Sequence, residues 1–358
     1  MRAAVLHACN HEGQPLQPND GIRAFARLAD FKLIWSNTNT ETVETNEFIG
    51  TETCSVRDTL CGEFSGFEYA LVQRGDDCEV HLRQKGEVGP STDSREVMSA
   101  LLKAIGFLHG RHAWPQWQWI QHDSAATDEY ARVARSVPRT IHTPLPGCAW
   151  ANGADAALLI GKAVECFVRG DEFAEALHHY CFLARGASAD KTPKHVGALG
   201  LCAVLEGLVG LLHSHFCAAE RRPEDILFES VRSELKRYAG QRAIVPDLAP
   251  AESEMWNRFI GSIQSMQALR FREKYQRLVE HFRLPAEKMS LALKAWKKHR
   301  NSLAHGNSST GEVGEEMLIV SRIAGAINVF AAAAIGYSGL AVLSRIEDQF
   351  VRLPEPQP

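Results

Sequence analysis

VGALGLCAVLEGLVGLLHSHF, running from Val196 to Phe216, is apolar on almost every side of the helix that its length and composition predict. A helix without a polar face belongs at the centre of a bundle, where neighbouring helices cover it all round. One acid interrupts it, Glu206. A carboxylate in such a setting is costly unless a donor meets it. Glu206 is therefore expected to support the fold or site by pairing, either with Arg300 or with another buried donor.

Helical patterns continue on both sides. Ala154 to Arg169 and Glu172 to Ala184 are amphipathic and are separated by Gly170-Asp171. Pro223 to Ala239 places Ile226, Val231, Leu235 and Tyr238 on one side. Pro246 to Pro250 breaks the chain, and Glu252 to Phe282 follows as one long helix or two shorter ones. Pro285 suits the first turn of a helix running towards Gly306, and a final helix is expected from Glu315 to Ile346. Within it, Ile323 to Ser344 carries no charge and is long enough to cross a bilayer. Its Ala, Gly, Asn328, Tyr337 and Ser338 make it only weakly hydrophobic, which fits a buried core helix and no membrane contact. Residues 154–346 thus read as an all-α bundle, and 347–358, ending in Pro354-Glu355-Pro356-Gln357-Pro358, as a disordered tail.

Residues 1–150 differ in character. Phe31 to Trp35, Glu68 to Val72 and Glu79 to Leu82 are β-prone, with Asp76-Asp77 as a turn. Asn37 to Thr53 suits an edge strand or loop, Arg95 to His109 a helix, and the Trp114, Trp117, Trp119, Ile120 run a return to strand. A stretch with Pro138, Pro144, Pro146, Gly147 and Gly153 marks the boundary. The predicted class is α+β: a β-rich mixed N-terminal domain, then an all-α bundle. The apolar run Ala3 to Leu6 is too short for a secretory signal. Nine Cys, an odd number with no paired spacing, suggest reduced thiols and a cytoplasmic setting.

The chemistry concentrates in WKKHRNSLAHG, Trp296 to Gly306. Gly306 readily closes a helix, so Arg300 and His305 fall in or beside its last turn. Five positions separate them by roughly 140° around an ideal helix. They converge only if the last turn distorts or a second chain completes the site. A His can take a proton from a ribose 2′-hydroxyl or return one to the leaving oxygen. An Arg stays cationic and forks onto phosphate oxygens. Asn301 can orient either group or the phosphate. Neither role needs a metal, and no cofactor is implied. Basic residues are also common at helix ends because they complement the dipole, so Arg-x4-His taken alone is a weak pattern that describes a helix end better than a catalytic site.

The stretch Arg300-Asn301-Ser302-Leu303-Ala304-His305 resembles the HEPN superfamily signature of Arg, a polar residue, a short spacer and His. "RNSLAHG" is most similar to HEPN proteins of the ApeA type, which act in abortive phage exclusion. The resemblance spans about residues 154–346 and is specific only over the motif. The β-rich part before it is similar to the region preceding such domains in general character only. The resemblance implies a homodimer whose two motifs face each other, and a metal-independent endoribonuclease that leaves a 2′,3′-cyclic phosphate. It implies Arg300 and His305 as catalytic residues with Asn301 as orienter. It also implies a role in antiphage defence or toxin-like growth arrest, with the N-terminal domain binding a trigger or restraining the nuclease. Some members of the superfamily bind RNA or a protein partner without cutting.

Charge points the same way locally. Net charge is −4, which argues against general coating of nucleic acid. From Arg270 to Arg300, however, ten bases stand against three acids. Lys294, Lys297, Lys298 and His299 are the RNA-binding candidates, although a basic run is also the ordinary composition of a solvated helix face. His213 and Cys217 have the spacing to share a metal, but incidental placement near a helix end fits them better, and no metal site is expected. No phosphate-binding G-x-x-x-x-G-K-[ST], G-x-G-x-x-G, G-x-S-x-G or H-E-x-x-H pattern occurs.

Overall fold

The computed structural model describes residues 22–35, 38–46, 50–85, 93–121, 127–131, 143–145, 153–188, 194–219, 222–244, 249–265, 269–304 and 313–355. The chain forms two compact units, Met1–Leu208 together with Phe282–Pro358, and Val209–His281. The architecture is α+β.

In the first unit, β1 (Ile22–Leu28), β2 (Thr38–Asn46), β3 (Gly50–Phe64), β4 (Phe67–Arg74) and β5 (Asp77–Gln84) precede α1 (Ser94–His109), β6 (Trp117–Gln121) and β7 (Thr127–Ala131). All seven strands join one sheet in the order β2-β3-β4-β5-β1-β6-β7, with every neighbouring pair antiparallel. The Thr-rich β2 lies at an edge, as its composition suggests. β1 takes a central place beside β5 and β6, which the sequence did not suggest. Its inward positions Ala24 and Ala26 are weak strand formers, so the alternation carries little signal.

Phe31 to Trp35 is not a strand. The Gln73 side chain replaces a ladder there, accepting from Leu33 N at 2.7 Å and donating to Phe31 O at 3.2 Å. Phe31 and Trp35 are buried all the same. α1 begins where the Asp93 carboxylate accepts from Arg95 N at 2.9 Å and ends at Gly110, whose φ of 61° closes the helix.

α1 packs on α2 (Gly153–Phe167), which also lies against β3. Tyr69 Oη donates to Ala157 O at 3.2 Å, tying β4 to α2. α3 (Glu172–Ala187) is capped by the Asp171 carboxylate, which accepts from Ala174 N at 2.7 Å. Helices beyond the Pro/Gly stretch therefore share a compact unit with the sheet. That stretch separates two compositions, and the compact units divide elsewhere.

α4 (Lys194–Leu212) is the expected apolar helix. α8 (Ala286–Ala304) and α9 (Val313–Ala334) pack together and complete the helical part of this unit. The predicted final helix stops early, at Ala334. Gly336, with φ 78°, lets its own N–H and that of Tyr337 bond back to Ala333 O and Ala332 O at 3.0 Å. The uncharged run then forms β8 (Leu340–Ser344), paired antiparallel with β9 (Gln349–Arg352). Most of the expected tail is thus ordered: Leu353 is buried and its N–H bonds to Gly339 O at 2.7 Å. Residues 356–358 lie outside the described residues. β8 runs so close to α9 that a Cβ on Gly325 would overlap the Leu343 carbonyl. Arg322 pairs with Glu347, and Val342 N bonds to Pro144 O at 2.8 Å.

The second unit holds the end of α4, a π-turn at His213–Cys217, α5 (Pro223–Ala243), α6 (Pro250–Ser265) and α7 (Phe271–His281). α5 packs on α6, and α7 on the π-turn. Arg277 grips Asp225 with two hydrogen bonds, 2.7 and 2.8 Å. The α5 residues read as one apolar side stay open: Ile226 is 58% exposed and Val231 49%. By length and composition two helices could cross a membrane, Val196–Cys217 and Gly314–Ala334, and half and two-thirds of their most apolar windows are buried in the protein.

Candidate functional site

The acid in α4 meets α8. Glu206 Oε1 accepts from Arg300 Nε at 3.0 Å and from Trp296 Nε1 at 3.1 Å. Trp296 and Arg300 are four apart on one helix, so both reach the same carboxylate oxygen. Glu206 is only partly covered and Arg300 is exposed, which makes this a rim contact rather than a buried ion pair. One turn before Glu206, Cys202 is fully buried, and burial followed by the Glu206 charge pushes its thiol up to about 12. It is a packing residue and no nucleophile.

Glu206 uses the Nε edge of the guanidinium, and the described contacts leave the two Nη groups for another ligand. That is the geometry a phosphate-binding Arg needs: one edge fixed by protein, the other turned outward. Asn301 follows Arg300 within α8, which stays helical to Ala304. The Asn301 side chain, His305 and Gly306 lie outside the described residues.

Lys294, Lys297 and Lys298 are exposed. Lys298 is paired with Glu315 at the start of α9, and among the described residues no carboxylate pairs with Lys294 or Lys297. His299 departs from expectation. It is 4% exposed and continues the inward line of Met289, Ala292 and Ala295, so it packs in the core and does not face solvent. The basic run is likewise divided. Its α7 part belongs to the second unit, where Arg277 is committed to Asp225, and Lys288 donates to Phe350 O at 2.9 Å.

Among the described residues no three of His, Cys, Asp or Glu gather as metal ligands, and His213 and Cys217 are both buried in the π-turn. A second polar constellation was not anticipated. Arg185 on α3 is 8% exposed and lines a cavity with His178 and Phe182 of the same helix. Their i, i+4, i+7 spacing could have flagged a cation on a covered helix face. No protein-family model, curated protein or solved structure matches the chain.

Proposed function

We propose that the chain is a HEPN-type endoribonuclease that cuts RNA by attack of a ribose 2′-hydroxyl. The contact between Glu206 and Arg300 carries this reading. It holds Arg300 by Nε near the end of α8, directly before Asn301, and among the described residues no partner takes its two Nη groups. In this reading Arg300 stabilises charge on the phosphate, His305 moves the proton, and Asn301 orients them. Lys294 and Lys297 add local attraction for RNA. A second copy of the chain would bring another His305 to the site, because one helix separates the pair by roughly 140°. Antiphage defence or growth arrest in the cytoplasm, with the sheet-bearing part sensing a trigger, is the setting proposed.

The test is cleavage of labelled RNA by the purified protein in the presence of EDTA. Wild type is expected to cut and leave 2′,3′-cyclic phosphate ends. Arg300→Ala and His305→Ala should each lose cleavage at least a hundredfold while keeping their thermal unfolding midpoint. Undiminished cleavage by His305→Ala would overturn the reading. RNA affinity that Arg300→Ala weakens, without any cleavage by wild type, would assign a binding module instead.

A further inference from the structure

A cavity of about 490 Å³ opens within the first unit, a volume in the range of small-ligand pockets. Helix and strand periodicity bring its walls together. His178, Phe182 and Arg185 share one side of α3, Leu102 and Lys103 come from α1, and Ile120 comes from β6. The segment between α1 and β6 adds His112 and Trp114.

Arg185 is the unusual member. It is 8% exposed, its Nη2 is shut from solvent without a hydrogen-bond partner, and among the described residues no carboxylate pairs with it. Gly106 on α1 makes room for it, since a Cβ there would lie 3.0 Å from Arg185 Nη1. A guanidinium that is buried and unpaired is costly, so the fold retains it against a stability penalty. Burial lowers its pKa only to about 10, which leaves it charged at neutral pH. Arg95 and Lys103 also line the cavity, but both keep solvent contact, and Lys103 is paired with Glu175 at 2.6 Å. Neither needs a ligand to be satisfied; Arg185 does.

Burial, and then the Arg185 charge, hold both His112 and His178 down at about 4. The imidazoles are therefore neutral near pH 7, and they add polar edges to the wall without adding charge. No acid is among the described lining residues. The unmet demand is for one negative charge against a planar fork of N–H donors, which is the geometry a carboxylate fits. A phosphate monoester, at roughly −1.5 to −2 near pH 7, would carry more charge inward than the one buried cation offsets. The other wall is aromatic. His112 stacks on Trp114 with ring centres 5.5 Å apart and planes 18° from parallel, and Phe182 lies 4.1 Å from His112. Trp114 is 54% exposed, an indole surface available to a planar ring. Leu102 and Ile120 extend that apolar surface.

We propose that this cavity binds an aromatic monocarboxylate, with the carboxylate on Arg185 and the ring against Trp114, His112 and Phe182. The assignment is independent of the ribonuclease reading. Calorimetric titration of the full chain with benzoate, 2-naphthoate and indole-3-carboxylate tests it. The controls are acetate, the carboxamide of each ring, and phenyl and 2-naphthyl phosphate. At least one aromatic carboxylate should bind saturably, and at least tenfold more tightly than acetate, its own carboxamide and either aryl phosphate. Arg185→Gln and Trp114→Ala should each weaken that binding at least tenfold, and Arg300→Ala should leave it unchanged. Trp114 is exposed enough that its loss spares the fold, so this variant decides if Arg185→Gln does not fold. Failure of all three carboxylates to bind at millimolar concentration would overturn the proposal. So would acetate, a carboxamide or an aryl phosphate that binds within tenfold of the best carboxylate, or carboxylate binding that Trp114→Ala leaves intact or Arg300→Ala abolishes.

Discussion

Glu206 and Arg300, 94 positions apart, meet through a single carboxylate oxygen at 3.0 Å. The acid that breaks the most apolar helix and the base that heads the RNSLAHG motif are one device. Glu206→Gln keeps the shape but removes the charge that fixes Arg300. The contact lies at the rim, so stability should change by less than about 1 kcal/mol. RNA cleavage should fall about tenfold. A cleavage rate equal to wild type, at an unchanged unfolding midpoint, would show that Arg300 needs no support from α4.

Gly325 is the point where β8 touches α9. Gly325→Val would drive a side chain into the Leu343 carbonyl, and the rigid backbone on both sides cannot yield. The expected cost is about 3 kcal/mol or more, read from urea denaturation. Gly314→Ala, on the same helix where a Cβ meets nothing, should be neutral or slightly stabilising.

Acid should destabilise the first unit earlier than carboxylate protonation requires. His109 is 3% exposed between Phe31 and Trp35, and burial, then the nearby Arg111 charge, lower its pKa to about 3. Its folded pKa lies below the unfolded value near 6.5, so below that pH the unfolded chain binds a proton that the folded one refuses. Stability is full above about pH 6.5 and is lost as pH falls towards 3. At pH 4 the loss from His109 alone is on the order of 3 kcal/mol. Urea midpoints between pH 7 and 4 measure it, and His109→Leu should flatten the slope.

In the second unit, Asp225→Ala should leave Arg277 without its partner. Hydrogen exchange along α5 and α7 should rise at least tenfold, while α1 and α2 are unaffected. Equal change in both units would mean that the two do not unfold separately.

What the sequence revealed followed the strength of each periodic signal. α1 and α3 have clean 3.6-residue patterns with punctuation at Asp93, Gly110 and Gly170-Asp171, α4 is marked by its unbroken apolar length, and all three lie where expected. β1 was hidden because Ala24 and Ala26 fill its inward face. The β8–β9 hairpin was hidden because a run without charges suits a helix and a buried strand equally well. His299 sits among cations in sequence, but one residue of helix is 100°, enough to turn it from solvent to core. The Glu206 partnership was legible because a lone acid in an apolar helix must find a donor. The Arg185 cavity was not, because its walls come from three elements that no linear motif connects.

The first compact unit is assembled from both sides of an insertion, Met1–Leu208 before it and Phe282–Pro358 after it. During synthesis the sheet, α1 and α4 emerge before α8 exists. Glu206 therefore waits unpaired while the whole of Val209–His281 is translated. Under the proposed ribonuclease reading, the chain stays silent while the ribosome is still making it. Its chemistry would begin only when the far side of the insertion docks.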